Sequence, residues 1–501
     1  MKRRDFIGAT GSATLLAACG GGSDSPVGMM SSGDMNPGTS GLPLGTTPAL
    51  TEGQPLRALP RLANGSATAG VFEGTLVCAP TEIELAPGRR TTLWAYNGAV
   101  PGPLIEASVG DRVRIAFTNQ LPAQESTIHW HGMPVPASED GNPLDPVAPG
   151  ATRVYEFTLP KDSAASYWYH PHPHRVTHEQ VFRGLAGVFI VHPAVDPLPP
   201  GLVDTPLVLT DLRLDAGYQI APNTGMDYVV GREGDALLVN GGHRPVLTTA
   251  PGATHRLRLF NATNARYLRL AFDGTAMTLI GTDGGLLAAP IAGVTEVLLA
   301  PGERVEAVVR FAADSVLRAL AYDRGSMVMG MNGMVRASEA LLTVRAQGAA
   351  VAPVVLPTTL RTLAALPAAG SFQRFVLGPS GMMGGMMGMT MGALTINGRS
   401  FDPLRIDATS RVGAVELWEV ANPTGMDHPF HLHGTQFQVV ERMSGGVTTP
   451  VPWLAWKDTV NVAHGETVRF KVRQSLPGVR MYHCHILEHE DQGMMGTLSV
   501  S

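Results

Sequence analysis

Cysteine is scarce in this chain, with three residues, Cys19, Cys78 and Cys484, among 501. Cys19 and Cys484 each lie in a motif of their own, and Cys78 has no evident partner. Because a disulfide framework needs cysteines that can pair, no structural disulfide is expected. We interpret Cys78 as a small buried apolar residue, which is how an unpaired cysteine usually packs.

The chain also lacks a strong charge excess and a clear helical pattern. Its formal net charge is −5, and the charged residues are mixed without a basic stripe, which argues against nucleic acid as a partner. Helical periodicity is weak, whereas 58 glycines and 39 prolines interrupt short runs of Val, Ile, Leu and Thr. Short runs separated by turn residues favour an all-β protein built of β-sandwiches.

The N-terminus is typical of an exported protein. Arg3 and Arg4 precede an apolar segment that resembles a twin-arginine export signal and is too short for a permanent membrane-spanning helix. The sequence Leu-Ala-Ala-Cys ending at Cys19 resembles a bacterial lipobox; the alternative is an ordinary cleavage site with an incidental cysteine. We predict a signal over 1–19, a flexible tether over 20–52, and a periplasmic lipoprotein that contacts the membrane only through an anchor at Cys19.

Four short histidine motifs dominate the chemistry of the sequence. They are His129-Trp130-His131-Gly132, His170-Pro171-His172, His428-Pro429-Phe430-His431-Leu432-His433-Gly434, and a C-terminal run from His483 to Met494. One cysteine, two histidines and a distant methionine form the trigonal site of a blue-copper centre, and Cys484, His489, Met494 and His428 fit that set. Since neighbouring side chains alternate on a strand, Cys484 can face one site while the histidines beside it face another.

Zinc is a poor alternative, because Cys484 has no partner thiol and the histidines outnumber the ligands of one tetrahedral site. In order and spacing the motifs resemble the copper-ligand set of the multicopper oxidases, over nearly the whole mature chain. The resemblance implies four copper ions, one of type 1, one of type 2 and two of type 3. It assigns His428, Cys484, His489 and Met494 to type 1, His129 and His431 to type 2, and His131, His170, His172, His433, His483 and His485 to type 3.

Reduction of O2 at such a cluster also needs protons, and the resemblance points to two acids, Asp140 and Glu490. A carboxyl group beside metal cations can pass protons through water to the reacting oxygen. Glu490 directly follows His489, so it can also serve as a hydrogen-bond partner of a ligand histidine. The two roles are compatible.

Methionine is concentrated in two segments. The first holds Met327, Met329, Met331 and Met334, and the second holds Met382, Met383, Met386, Met387, Met389 and Met391. Thioethers prefer Cu(I), so the second segment, with Met426 and Asp427 before His428, is a candidate site for a substrate Cu(I) ion. The alternatives are that methionine fills gaps in a core or forms a lid against bulky substrates, and that Asp427 orients His428 or passes electrons. The order of methionine and acid differs from the arrangement expected in the family.

The resemblance is strongest to the bacterial cuprous oxidases of the copper-efflux type. It implies that Cu(I) gives single electrons to the type 1 copper and that O2 is reduced to water at the trinuclear cluster, which would detoxify copper. A laccase-like oxidase of phenols or aromatic amines is the alternative. A copper-binding or storage protein is the non-enzymatic alternative, although it leaves Cys484 and the cluster histidines unexplained. A monomer suffices, because one chain holds all the ligands.

A similar segment recurs three times, beginning at the Asn-Gly pairs 97–98, 240–241 and 397–398. Each copy reads as a turn, a strand, a second turn with glycine and a second strand, which indicates a repeated structural unit. We therefore predict three cupredoxin-like Greek-key β-sandwich domains, as in the family, over 53–195, 196–347 and 372–501, with a linker over 348–371. The ligand motifs lie in the first and third domains, so the cluster is expected between them.

Overall fold

The chain folds into paired β-sheets, and the computed structural model describes residues 46–327, 335–379 and 394–501. Within these residues, six sheets follow one another as three successive pairs. No helix in the described ranges is long and apolar enough to cross a membrane. Several predictions fall outside the described residues: the signal and Cys19, tether residues 20–45, and the methionines Met329, Met331, Met334, Met382, Met383, Met386, Met387, Met389 and Met391.

The first pair of sheets contains the first two histidine motifs. Its strands are β1 (Val71–Ala86), β2 (Arg89–Tyr96), β3 (Gly102–Ser108), β4 (Arg112–Asn119), β5 (His129–His131), β6 (Thr152–Thr158), β7 (Ala165–His170) and β8 (Gly187–His192). They form the sheets β2-β1-β4-β6 and β3-β8-β7-β5. A 3-10 turn (Ala137–Glu139) and helix α1 (Thr177–Phe182) lie in the connections.

The second pair is larger and contains none of the four motifs. Its strands are β9 (Val203–Leu212), β10 (Ala236–Val239), β11 (Gly242–His243), β12 (Val246–Thr249), β13 (Ala253–Asn261), β14 (Leu268–Phe272), β15 (Met277–Thr282), β16 (Gly285–Val294), β17 (Val297–Leu299), β18 (Arg304–Phe311), β19 (Ser315–Leu320) and β20 (Glu339–Ala346). They form the sheets β11-β10-β9-β13-β18-β15-β16 and β12-β20-β19-β14-β17. Helix α2 (Gly225–Val230) follows β9 and begins with a capping box between Thr224 and Asp227.

The third pair contains the last two motifs. Its strands are β21 (Ser371–Pro379), β22 (Leu394–Ile396), β23 (Ala408–Ser410), β24 (Val415–Ala421), β25 (His428–Leu432), β26 (Phe437–Ser444), β27 (Val447–Pro450), β28 (Thr459–Val462), β29 (Glu466–Arg473), β30 (Gly478–Cys484) and β31 (Met495–Val500). They form the sheets β22-β21-β24-β29-β26-β27 and β23-β31-β30-β25-β28. Helix α3 (Leu487–Asp491) connects β30 to β31.

The same parallel pairings recur in all three pairs of sheets. In one sheet of each pair, β1 lies parallel to β4, β9 to β13 and β21 to β24. In the other sheet, β3 lies parallel to β8, β12 to β20 and β23 to β31. Antiparallel pairs make up the rest, so the connections cross between sheets as in Greek-key sandwiches. The predicted all-β fold of three cupredoxin-like β-sandwiches is confirmed.

The recurring Asn-Gly pairs have one structural role in each copy. Asn97, Asn240 and Asn397 all adopt positive φ, at 52°, 51° and 54°, as the first residue of a tight hairpin turn requires. Each side-chain oxygen accepts a hydrogen bond from the backbone of an earlier strand, at Val77, Val208 and Val376 respectively. Asparagine tolerates this conformation, and its side chain accepts a hydrogen bond from a backbone NH of the earlier strand, which explains why the pair recurs.

Each sandwich encloses its own apolar core. On β4, Val113, Ile115 and Phe117 point inward at every second position, and β29 repeats this alternation. The sequence predicts a flexible tether up to residue 52, but the segment 46–52 packs against the β-sandwiches. There the backbone NH of Thr47 donates to Asp235 at 2.7 Å, and Leu50 is buried.

Candidate metal centre

Each of the four motifs lies on, or begins on, a strand of the first or third sandwich: β5, β7, β25 and β30. β5 pairs with β7 so that His129 lies opposite His170, and β25 pairs with β30 so that His431 lies opposite His483. All ten motif histidines and Cys484 are buried. Strand pairing therefore brings the first and second motifs together in the first sandwich, and the third and fourth motifs together in the third sandwich. Packing of these two sandwiches against each other then brings the two pairs of motifs together.

Eight histidines from the two sandwiches meet in one cluster. The Nε2 atoms of His129 and His431 are 3.4 Å apart, and those of His172 and His483 are 3.2 Å apart. Three metal-sized groups in this cluster consist of histidines alone: His131/His170/His485, His172/His433/His483 and His129/His431/His433. The ligand atoms in each group lie within 4.8 Å of one another, so each group can hold an ion.

The chemical state of these imidazoles fits metal binding. Burial is the main cause that lowers the pKa of most of them well below 6.5, in His131, His170, His172, His431, His433 and His483. The pKa of His485 falls to about 3 for the same reason. The Nε2 atoms of His131, His170 and His485 are buried without any hydrogen-bond partner. Neutral imidazoles whose free nitrogens converge are stabilised by a bound cation, and imidazole suits copper.

Asp140 lies beside the cluster, as the sequence predicts. The Nδ1 atom of His433 donates to Asp140 Oδ2 at 3.0 Å, and that of His129 donates to the Asp140 backbone oxygen at 2.9 Å. The other carboxylate oxygen, Oδ1, is buried without a hydrogen-bond partner. Asp140 therefore orients two histidines, while its Oδ1 lies 3.3 Å from His129 Nδ1 without a hydrogen bond.

Glu490 lies in helix α3 and contacts two other histidines of the cluster. Its Oε1 atom is 3.5 Å from His172 Nε2, and its Oε2 atom is 3.2 Å from His483 Nδ1. Burial, followed by the neighbouring Asp491, raises the pKa of Glu490 well above its ordinary value. The carboxyl group is thus placed where it can hold a proton close to two histidines.

Cys484 forms a second, smaller site with two histidines. Its Sγ atom lies 3.4 Å from His428 Nδ1 and 3.9 Å from His489 Nδ1. Met494 is fully buried in the same core cluster, and its backbone oxygen accepts a hydrogen bond from the Cys484 NH at 3.0 Å. The Ile486 NH donates to the sulfur at 3.5 Å. Soft sulfur and two imidazoles around one point are ligands that copper prefers.

The outer nitrogens of these two histidines are also fixed. His489 Nε2 donates to the backbone oxygen of Val229, in helix α2, at 3.1 Å. His428 Nε2 lies 3.1 Å from the hydroxyl of Thr424. Because a proton on Nε2 leaves Nδ1 free, both rings present a lone pair toward Cys484.

Comparison with known proteins agrees with this geometry. Three family models described as multicopper oxidase match residues 78–196, 213–322 and 379–501. A multicopper oxidase of Campylobacter jejuni, described as a metallo-oxidase, has a solved structure that superposes with a TM-score of 0.83 and is 39% identical, covering 90% of this chain and 96% of that one. This chain belongs to the multicopper oxidase family.

Other relatives show how varied the family is. A multicopper oxidase of Staphylococcus aureus is 32% identical over 435 residues, which cover 85% of this chain and 88% of the relative. The cell division protein FtsP of Dickeya dadantii is also 32% identical, over 520 residues, covering 99% and 98%. Proteins named laccase from two Bacillus species are 28% and 29% identical.

Membership confirms the predicted family and identifies the chain as an oxidoreductase. The family implies copper as the cofactor and O2 as the electron acceptor, with metal ions or organic molecules as electron donors. The histidine clusters of this multicopper oxidase are suited to that metal.

Three residues at the site lie outside the four histidine motifs and were not predicted from the sequence. Asp458 is buried between His131 and His431, Arg304 pairs with Asp458, and Thr424 contacts His428. The residues around Asp458 in the sequence give no sign of what it contacts. The contacts of Arg304 depend on the packing of separate sandwiches, which local sequence does not reveal.

Proposed function

We propose that this multicopper oxidase oxidises Cu(I) and transfers the electrons to O2, with four copper ions in the sites that the sequence predicts. The type 1 ligands are His428, Cys484, His489 and Met494; the type 2 ligands are His129 and His431; and the type 3 ligands are His131, His170, His172, His433, His483 and His485. The separation of these residues into one sulfur-containing site and one histidine cluster supports the assignment. Bound copper would supply one-electron transfer and the binding of O2.

The backbone around Cys484 provides a short route between the two sites. Cys484 faces the sulfur-containing site, and His483 and His485 on either side of it face the cluster. His483 Nδ1 also donates to the Cys484 backbone oxygen at 3.1 Å, which adds a hydrogen-bonded path beside the covalent one. Electrons accepted near Cys484 therefore have few bonds to cross.

The proposal that Cu(I) is the electron donor rests on the attachment of a methionine-rich segment beside His428. The Ser326 NH donates to the Gly425 oxygen at 2.8 Å, and the Asp427 NH donates to the Arg324 oxygen at 2.7 Å. A Cβ atom on Gly325 would come within 2.0 Å of the Gly425 oxygen, so glycine permits this close contact. The first methionine-rich segment thus starts next to the edge of the type 1 site.

The position of Met327 adds to this support. Its side chain packs against the buried cluster that contains Met426, Cys484 and Met494. Soft thioethers close to the type 1 site suit Cu(I) more than a phenol. The related Campylobacter jejuni protein is described as a metallo-oxidase, which agrees with a metal ion as the electron donor.

Met426 and Asp427 remain proposed ligands of substrate Cu(I), although their contacts favour a structural part for the acid. Asp427 Oδ2 accepts hydrogen bonds from the Tyr322 hydroxyl at 2.6 Å and from Asn461 at 3.1 Å. Its Oδ1 atom accepts from the backbone and ring nitrogens of His464, each at 2.9 Å. A carboxylate with four donors is well suited to orienting the adjacent His428.

Asp140 and Glu490 are proposed to deliver protons for the reduction of O2. Each has a buried carboxylate oxygen without a hydrogen-bond partner, Oδ1 in Asp140 and Oε2 in Glu490. Such an oxygen can take a proton from water and release it to the reacting oxygen. Because each acid also touches cluster histidines, orientation and proton delivery can be combined in one residue.

A laccase-like activity on phenols or aromatic amines is the second candidate. The edge of His428 lies under Thr424, which is partly exposed and flanked by the exposed Pro423 and Gly425. An organic donor could reach this edge past Pro423 and Gly425. The relatives named laccase agree with such a use of the same fold.

Oxygen consumption separates these two candidates. Fully copper-loaded protein is given Cu(I) or a phenol as the sole electron donor, and a variant with Ser at Met382, Met383, Met386, Met387, Met389 and Met391 is measured beside it. Met277 is buried in the core of the second sandwich, so Met277→Leu serves as a matched control for loss of a thioether elsewhere. Copper content and thermal stability are compared first, so that only folded and loaded proteins enter the assay.

The cuprous oxidase predicts rapid turnover of Cu(I) that collapses in the Ser variant, with phenol turnover unchanged or higher. Slow Cu(I) turnover that is unaffected by the Ser substitutions, together with efficient phenol oxidation without added copper, would identify a laccase. Absence of O2 consumption with either donor would favour a binding or storage role. The FtsP relatives are described as cell division proteins, but the complete set of predicted copper ligands in this chain favours an enzyme.

The remaining features are proposed from the sequence. We propose export as a Tat-dependent lipoprotein anchored at Cys19 on the periplasmic face of a bacterial membrane, and a monomer in solution. The domain limits 53–195, 196–347 and 372–501 are proposed as well. The benefit would be detoxification, because Cu(II) crosses membranes and attacks thiol-containing proteins less readily than Cu(I).

A further inference from the structure

Arg304 and Asp458 form a buried ion pair against two of the cluster histidines. Two Nη atoms of Arg304 each donate to one carboxylate oxygen of Asp458, both at 2.7 Å. Asp458 Oδ1 lies 3.4 Å from His131 Nδ1, and the Asp458 backbone oxygen accepts from His431 Nδ1 at 2.9 Å. The pair therefore contacts one histidine from each of the two sandwiches that supply ligands.

The guanidinium group is held from several directions. Arg304 Nε donates to the Ser166 backbone oxygen at 3.1 Å, on the strand that leads to the second motif. Its Nη atoms donate to the backbone oxygens of Gly302 at 3.2 Å and Asp283 at 3.1 Å. These contacts need the planar fork of an arginine, because a lysine ammonium has neither the reach nor the number of fixed donors.

Glycine makes room for this arrangement on both sides. A Cβ atom on Gly132, which follows His131 and has a φ of +79°, would come within 1.8 Å of Asp458 Oδ2. A Cβ atom on Gly302 would come within 2.9 Å of the His485 ring. The close approach of the ion pair and the middle sandwich to the histidines is thus built into the sequence.

We propose that Arg304 is a positioning residue through which the middle sandwich fixes the orientation and the tautomer of His131 and His431. A histidine that binds a metal through Nε2 donates its Nδ1 proton to a nearby acceptor, which sets the ring. The Asp458 backbone oxygen supplies that acceptor to His431. His131 Nδ1 lies between Asp458 Oδ1 at 3.4 Å and an Nη atom of Arg304 at 3.3 Å, so Arg304 acts on this ring both directly and by holding the Asp458 carboxylate in place. The inference rests on the copper cluster of the proposed function but not on the identity of the electron donor.

The test compares Arg304→Lys with a matched control, Arg256→Lys. Arg256 is also buried and also donates twice to one carboxylate, that of Glu306, but it has no hydrogen bond or ion pair to a cluster histidine within the described contacts. Copper per chain, the electron paramagnetic resonance spectrum of the type 2 copper, and the melting temperature are measured on each purified protein. The blue absorption of the Cys484 site is an internal reference, and Asp458→Asn tests the same contact from the other side if Arg304→Lys fails to fold.

Arg304→Lys and Asp458→Asn are expected to retain cluster copper about 10- to 100-fold less tightly, which is the usual effect of removing a hydrogen-bond partner of a metal ligand. The type 2 spectrum should change while the blue absorption stays, and Arg256→Lys should lose stability without either effect. Unchanged copper content and an unchanged type 2 spectrum in both cluster variants would overturn the inference. If the wild-type chain binds only type 1 copper, the proposed cluster is wrong and this inference fails with it. If the wild-type chain binds cluster copper but the two variants are unchanged, only the inference fails.

Discussion

His428 and Thr424 are joined by a contact of 3.1 Å between the ring Nε2 atom and the hydroxyl oxygen. The hydroxyl accepts the Nε2 proton, which leaves Nδ1 free to face Cys484 Sγ at 3.4 Å. We predict that Thr424→Val, which keeps the shape and removes the acceptor, lowers type 1 copper affinity or turnover about tenfold or more. Blue absorption during copper titration measures the affinity, and oxygen consumption measures the turnover.

Thr424→Ser is the control for this prediction, because it keeps the hydroxyl and loses a methyl group. We expect Ser to behave like the wild-type chain. A Val variant with normal copper titration and normal turnover would show that the contact has no part in the type 1 site.

The two cysteines in the described ranges should respond differently to the same substitution. Cys484 faces two histidines, whereas Cys78 is buried in the first sandwich, 3.3 Å from the Asn119 side-chain oxygen. We predict that Cys484→Ser abolishes the blue absorption and the oxidation of substrate, since serine cannot supply a soft thiolate. Cluster copper should remain, because the histidines that form it are intact. Cys78→Ser should stay blue and active, and loss of colour there would contradict the assignment.

Much of the fold and of the ligand set could be predicted because it depends on short, local patterns. The Asn-Gly pairs act through their own backbone conformation and through a strand that lies 20, 32 and 21 residues earlier in the three copies. A His-x-His pair on a strand places both rings on one face whatever lies around it. The four motifs therefore indicate the chemistry before any packing is known.

The supporting residues could not be predicted, since their partners are far away in sequence. Arg304 and Asp458 are separated by 154 positions. A buried arginine has no local signature, because burial and pairing arise only when the sandwiches pack. The contact of Thr424 with His428 is local, but a threonine four residues before a histidine has too many other uses to be informative.

Copper should contribute strongly to the stability of this chain. The free Nε2 atoms of His131, His170 and His485 converge without a partner, so the metal-free cluster has unsatisfied nitrogens. A ligand that binds the folded state alone stabilises it by about 4 kcal/mol when its concentration is a thousand times its Kd. We predict a lower melting temperature after chelation and recovery when copper is returned. Equal melting temperatures with and without copper would mean that the cluster does not bind it.

The buried group formed by Glu306, Arg256 and Arg258 should make stability depend on pH in acid. Burial alone would raise the pKa of Glu306, but the two arginines lower it from 4.5 to about 2. A folded pKa below the unfolded one means that the stabilisation is complete above about pH 4.5 and is lost as the pH falls toward 2. The shift corresponds to a contribution on the order of 3 kcal/mol.

Glu306→Gln isolates this contribution, since glutamine keeps the shape and does not ionise. Metal-free wild-type and variant proteins are unfolded in urea at several pH values from about 6 down to about 3, within the interval where the carboxylate protonates. At the upper end the variant should be less stable by a few kcal/mol, because Arg256 and Arg258 lose their buried partner. The difference should shrink as the pH falls below about 4.5, because the carboxylate takes up a proton in the unfolded wild-type chain before it does so in the folded one. A difference that stays constant over this range would show that the charge of Glu306 does not stabilise the fold. Acid loss of stability shared by both proteins would then come from other groups, such as the cluster histidines, whose charging on unfolding is common to both.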